Sequence, residues 1–139
     1  MSKYYIGIMC GTSLDSIDVS IASITSTKMK VKSFNEYKLG KDLKRQINLA
    51  KKNNHPIKVL NKISVDITNL VCECIKDILS KNKLTYKDID ALGFPGITLN
   101  HRPDLKISTF IGDAALLAKK LKIRVIADFR QTDIDAGGQ

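Results

Sequence analysis

The chain has 139 residues and a mass of 15.4 kDa, room for one domain with a substantial core. Its 43% hydrophobic and 27% charged residues exclude disordered and fibrous classes. The net charge of +9 is local: residues 28–62 carry 11 of the 23 basic side chains against Glu36 and Asp42 alone, and the remainder is neutral.

Residues 3–10 read as a buried strand that runs into Cys10-Gly11-Thr12-Ser13. No small-residue cleavage pattern follows, so a strand is expected there in place of a signal peptide. Residues 17–24 alternate apolar and polar with period two, the mark of a half-buried strand, and the short turn between the two suits a hairpin. Residues 29–37 alternate as well and extend a meander. Residues 42–52 read as a helix with Leu43, Ile47 and Ala50 on one face, broken by Asn53-Asn54-His55-Pro56.

Residues 57–81 carry the clearest periodicity. Leu60, Ile63, Ile67, Leu70, Val71, Cys74, Ile75 and Ile78 recur at intervals of three and four, which predicts a long amphipathic helix. Thr85 suits the cap of a short turn before a buried strand over 88–94, stopped by Pro95-Gly96. Residues 97–111 read as a hairpin excursion with Pro103-Asp104 at its tip. Gly112 or Asp113 opens a helix through Leu121, residues 123–127 form the last strand, and Asp128-Phe129-Arg130 follows.

Three strands, helix, strand, helix, strand make an α/β mixed sheet: an antiparallel three-strand meander, then alternating helices and strands. This is the ribonuclease H-like order, shared by one lobe of the sugar-kinase, actin and heat-shock ATPase superfamily. Such an analogy assigns no chemistry by itself. No apolar run approaches the ~18–20 residues that span a bilayer. No membrane partner is expected, and the cytoplasm is the default compartment.

The basic stretch admits two readings, a footprint for nucleic acid or a solvated face that aids solubility. Ten of its eleven cations are Lys and only Arg45 is Arg, whereas base and phosphate readers favour Arg forks, so nucleic acid is disfavoured as a partner. A nuclease of this fold needs a carboxylate in the first strand, and residues 3–10 hold none. Cys10, Cys72 and Cys74 read as reduced, buried thiols. No metal constellation joins them to His55 or His101.

Gly11-Thr12-Ser13-Leu14-Asp15-Ser16-Ile17-Asp18 is the first chemically informative segment. Its turn offers converging amides and hydroxyls, and Gly11 has no Cβ to block an approaching phosphate. Asp15 or Asp18 could hold Mg²⁺ through water. A plain hairpin turn with side-chain to backbone bonds remains the alternative.

The sequence resembles the anhydro-N-acetylmuramic acid kinases. The resemblance rests on Gly7-Ile8-Met9-Cys10 followed by residues 11–18, on His101-Arg102-Pro103, and on Ile111-Gly112-Asp113-Ala114-Ala115-Leu116-Leu117-Ala118. It rests also on Val125-Ile126-Ala127-Asp128-Phe129-Arg130-Gln131-Thr132-Asp133-Ile134-Asp135-Ala136-Gly137-Gly138-Gln139. It implies a cytoplasmic kinase of peptidoglycan recycling that uses ATP and Mg²⁺. Such an enzyme opens the 1,6-anhydro ring of anhydro-N-acetylmuramic acid and phosphorylates its 6-hydroxyl.

By that likeness residues 11–18 bind the ATP phosphates. Asp128, Arg130 and Asp133 lie on the sugar side, with Arg130 suited to a carboxylate or phosphate. The alternatives are a strand-end turn for Asp128 and a helix cap for Asp133. Ser16 stands where the family usually has Gly, which requires a negative or mildly strained φ. Pro95-Gly96-Ile97-Thr98 stands where the family has His-Gly-Gln-Thr, with loss of hydrogen-bonding capacity.

The family continues past Gln139 into a segment holding its catalytic base and a lobe holding adenine. The chain is therefore expected to form the amino-terminal lobe, inactive alone, with the carboxy-terminal lobe as its missing partner. Apolar surface at residues 125–134 is expected with it, and from that surface a homo-oligomer or a poorly soluble monomer. The competing function is a non-catalytic lobe that binds nucleotide, muropeptide or protein.

Overall fold

The structure is a computed structural model that describes residues 3–52, 55–105 and 107–138. Its strands are β1 (Tyr4–Met9), β2 (Ser16–Ile24), β3 (Met29–Lys38), β4 (Ile89–Gly93), β5 (Ile97–Arg102), β6 (Ile107–Ile111) and β7 (Val125–Ile126). Its helices are α1 (Lys41–Lys52), α2 (Ile57–Lys81), α3 (Ala114–Leu121) and α4 (Phe129–Asp135). The predicted break at Asn53-Asn54 lies outside the described residues.

The first three strands form the antiparallel meander, with Gly7 opposite Ser20 and Ser20 opposite Phe34. β1 pairs in parallel with β4, and β4 in parallel with β7, giving the order β3-β2-β1-β4-β7. The mixed five-stranded sheet with helices is the α/β arrangement read from the sequence. β5 and β6 make a separate two-stranded sheet.

Alternation turns Ile6, Ile8, Ile17, Val19 and Ile21 to one face of the main sheet. The stripe of α2 covers that face through Ile63, Ile67, Val71, Cys74, Ile75 and Ile78. Each such side chain contributes roughly 1.5–3 kcal/mol when fully buried. The helix therefore owes its stability to this packing more than to its caps, and its N-cap Pro56 makes no side-chain bond. α1 and α3 pack against α2.

The corner from β6 into α3 is fastened to α2. Thr68, the buried polar side chain of α2, donates to the Ser64 carbonyl at 2.8 Å and accepts the Asp113 amide at 3.0 Å. The Gly112 amide donates to Ser64 Oγ at 3.0 Å, and the Asp113 carboxylate caps α3 by accepting the Leu116 amide at 2.8 Å. Asp113, not Gly112, is the cap.

Two expectations need correction. A helix, α4, follows the last strand where none was read, with Asp128 in its N-cap position and Asp133, offered as a helix cap, inside it. The apolar surface expected at residues 125–134 reduces to Ile126 and Phe129, since Ile134 is buried. Comparably exposed apolar side chains, Met9, Val31 and Phe34, lie on the meander face away from α2. No helix among the described residues is long and apolar enough to cross a membrane.

Candidate functional site

Because β1, β4 and β7 run parallel, their carboxyl ends share one edge of the sheet. Three segments leave that edge: the turn after β1, Phe94-Pro95-Gly96 after β4, and the α4 segment after β7. Ligands of open α/β sheets bind outside such ends. Neighbouring strands lie ~4.8 Å apart, so about 10 Å separates the β1 exit from the β7 exit.

The turn is built around Leu14. Its amide donates to the Gly11 carbonyl at 3.0 Å, and its φ is +57°. An L-residue holds this left-handed conformation at a cost of roughly 1–2 kcal/mol. Complete burial of the Leu14 side chain in the core offsets that cost. The Leu39 amide donates to the Asp15 carbonyl at 3.1 Å and ties the turn to the end of β3. Ser16 has no positive φ, so a side chain at this position carries no backbone strain.

Thr12 and Ser13 are exposed, and among the described residues their amides have no hydrogen-bond partner. Gly11 does not have a positive φ, and a Cβ added there would meet only Ser13 Oγ, at an ordinary 3.8 Å. Neither conformation nor packing within the chain requires a glycine at this position.

The acids of the turn are engaged. Lys44 Nζ lies 2.7 Å from Asp15 Oδ1, and with the Ser13 hydroxyl it holds the Asp15 carboxyl below its ordinary range. Ser16 Oγ donates to Asp18 Oδ1 at 2.7 Å. Lys51 Nζ donates to the Thr12 carbonyl at 3.2 Å. Lys51 also lines a cavity of about 470 Å³ with Ala50, Lys52, His55, Leu60 and Leu99.

Cys10, Cys72 and Cys74 are free, with only Cys74 fully buried. Burial lifts all three thiols, Cys74 to about 11, and Asp18 adds to the rise at Cys10. Protonated at neutral pH, they are poor nucleophiles. Among the described residues no cluster of His, Cys, Asp or Glu could hold a metal by itself.

At the β7 exit Arg130 Nη1 donates to Thr98 Oγ1 at 3.3 Å, and its guanidinium lies 5.7 Å from the Phe110 ring centroid. The residue thus joins α4 to the β5–β6 hairpin and to the segment that carries Pro95 and Ile97. Asp128 is exposed, in a left-handed conformation with φ +60°, and its carbonyl accepts the Gln131 amide. Asp133 is exposed, its carbonyl accepts the Gly138 amide at 2.8 Å, and its carboxylate rests where a Gly138 Cβ would stand. The side chain of His101 lies outside the described residues.

Shared strand ends place residues 11–18 and residues 128–133 on one edge, on opposite sides of the β4 exit. No hydrogen bond or ion pair joins the two groups among the described residues. Lys44 and Lys51 escape sequence spacing, because they reach the turn from 29 and 39 residues away. The only sequence signal for them is the basic excess of residues 28–62.

The model of one protein family, described as anhydro-N-acetylmuramic acid kinase, matches residues 3–139. A relative named anhydro-N-acetylmuramic acid kinase, from Hydrogenovibrio crunogenus, is 34% identical over 99% of this chain and 38% of its own length. Its namesake from Sulfurovum sp. is 36% identical over 97% of this chain and 38% of its own length. A third, from Sulfurimonas denitrificans, is 33% identical over all of this chain and 38% of its own length. The chain thus spans about two-fifths of the length of the curated relatives it matches.

Proposed function

The chain belongs to the anhydro-N-acetylmuramic acid kinase family, and from that premise we propose that residues 1–139 act as the phosphate-binding lobe of a cytoplasmic, ATP-dependent sugar kinase of peptidoglycan recycling. The observation that carries this reading is the open space at Gly11 beside the unpartnered amides of Thr12 and Ser13. A glycine that the chain's own packing does not need leaves room for an incoming phosphate, and the free amides supply donors that match its oxygens.

ATP would supply the transferred phosphoryl group, with Mg²⁺ offsetting its charge. Thr12 and Ser13 would fix the phosphates through amides and hydroxyls. Asp15 and Asp18 would hold Mg²⁺ through water, which suits a pair of carboxylates without a full ligand cage. Across the β4 exit, Arg130 would face the carboxylate of anhydro-N-acetylmuramic acid, with Asp128 and Asp133 bonding its hydroxyls. A base that orients the attacking water, and a wall that closes over the nucleotide, would come from a second lobe.

Calorimetry with Mg·ATP tests the reading directly. Gly11→Ala should leave unfolding free energy within about 1 kcal/mol of the parent, because the added methyl has room. It should weaken Mg·ATP binding at least tenfold. No heat from the parent chain at millimolar nucleotide, or equal affinity in both proteins, would overturn the assignment. In a coupled ADP-release assay with the anhydro sugar, the 139-residue chain alone should show no turnover above the blank, and measurable turnover would refute the need for a second lobe.

A further inference from the structure

We propose that α1 is the cationic wall of the phosphate site, with Lys44 and Lys51 as direct ligands of the polyphosphate. The inference rests on the phosphate-turn reading above and adds the charge that the reading lacks. Between Lys3 and Lys28 the sequence contains no Lys or Arg, while the turn itself carries Asp15 and Asp18. A polyanion approaching this turn would meet two carboxylates and no cation from β1, the turn or β2. Hydrogen bonds from Thr12 and Ser13 alone would face that repulsion.

The compensating charge comes from α1. Lys44 and Lys51 are seven residues apart, two helical turns, so both project from one face of the helix. That face is turned to the site: one ammonium reaches Asp15 at 2.7 Å, the other the Thr12 carbonyl at 3.2 Å. Among the described residues each group bonds to a single oxygen of the turn, and an ammonium has three donors, so each retains capacity for a phosphate oxygen. Lys44 pairs with Asp15 in the free chain, and it would be freer to face phosphate if Mg²⁺ were held at that carboxylate. The basic excess of residues 28–62 is then in part a site feature. Lysine suits this task, since a compact point charge on a flexible stem can follow a mobile polyphosphate.

Titration calorimetry with inorganic tripolyphosphate isolates the charge effect from nucleotide and sugar. Lys51→Met and Lys44→Met should each weaken binding about tenfold at low salt and flatten its salt dependence, since exposed charge pairs are screened by added ions. Lys51→Arg should restore most of the affinity, which ties the effect to charge and not to packing. Lys52→Met, one position along the same helix and exposed, should bind within twofold of the parent. If Lys51→Met and Lys44→Met bind like the parent with the same salt slope, the cationic wall is wrong while the phosphate turn stands. If the parent binds neither tripolyphosphate nor Mg·ATP, both fall together.

Discussion

Leu14→Ala should lower the unfolding free energy by about 3 kcal/mol, the middle of the range for truncating a buried leucine. For a chain of this size that is a fall in Tm of about 10 °C. The side chain is fully buried and joins the core cluster that includes Ile17, Leu39 and Ile47, so the lost methyls leave a cavity among well-packed neighbours. The backbone adds a second effect. Leu14 sits at φ +57°, and burial of its side chain is what offsets the strain. Alanine keeps the strain and loses the anchor, so the turn from Gly11 to Asp15 should sample other conformations. The unpartnered amides of Thr12 and Ser13 would lose their fixed positions, and Mg·ATP affinity should fall with stability. Urea denaturation and calorimetry on the same protein measure both. A stability loss below 1 kcal/mol would show that Leu14 does not hold the turn.

This residue also shows where sequence reading reaches its limit. Gly-Thr-Ser between a buried strand and an alternating one announces a hairpin, and Gly11 is the natural place to expect unusual backbone freedom. The left-handed residue is instead Leu14, because the turn closes by tucking a leucine beneath itself, and no pattern of residue types reports a fold-back of that kind. Periodicity reported the long elements well, since α2 repeats its apolar positions over 25 residues. It missed α4, whose seven residues bury only Ile134 and so carry no repeat to detect. Arg130 was legible as a candidate, but its bond to Thr98 spans 32 residues and needed the fold. The same distance in sequence hid Lys44 and Lys51. What depends on neighbours along the chain could be read, and what depends on the sheet edge could not.

Gly112→Ala should be the most disruptive single-methyl change, costing about 3–4 kcal/mol. Two independent penalties combine there. The backbone stands at φ +127°, a region that L-residues rarely enter, at a cost of order 1–3 kcal/mol. The new Cβ would also lie 2.6 Å from Phe94 Cζ and 2.8 Å from Cε1. Phe94 is itself buried, so the ring has no free direction, and overpacking of this kind costs a further 1–3 kcal/mol or so. Relief by moving the corner would pull the Gly112 and Asp113 amides from Ser64 and Thr68, leaving Thr68 Oγ1 buried without its donor. Those bonds set α3 on α2, and α3 leads into β7, whose end carries Asp128 and Arg130. The Ile111-Gly112-Asp113-Ala114 block thus positions the far side of the edge through bonds within the chain. Denaturation midpoints should therefore drop steeply. At temperatures where the variant is still folded, tripolyphosphate binding at the Gly11 turn should remain, because none of the bonds that hold that turn runs through the corner. Stability within 1 kcal/mol of the parent would show that the backbone relaxes there without cost, and loss of tripolyphosphate binding in the folded variant would show the two ends of the edge to be one cooperative unit.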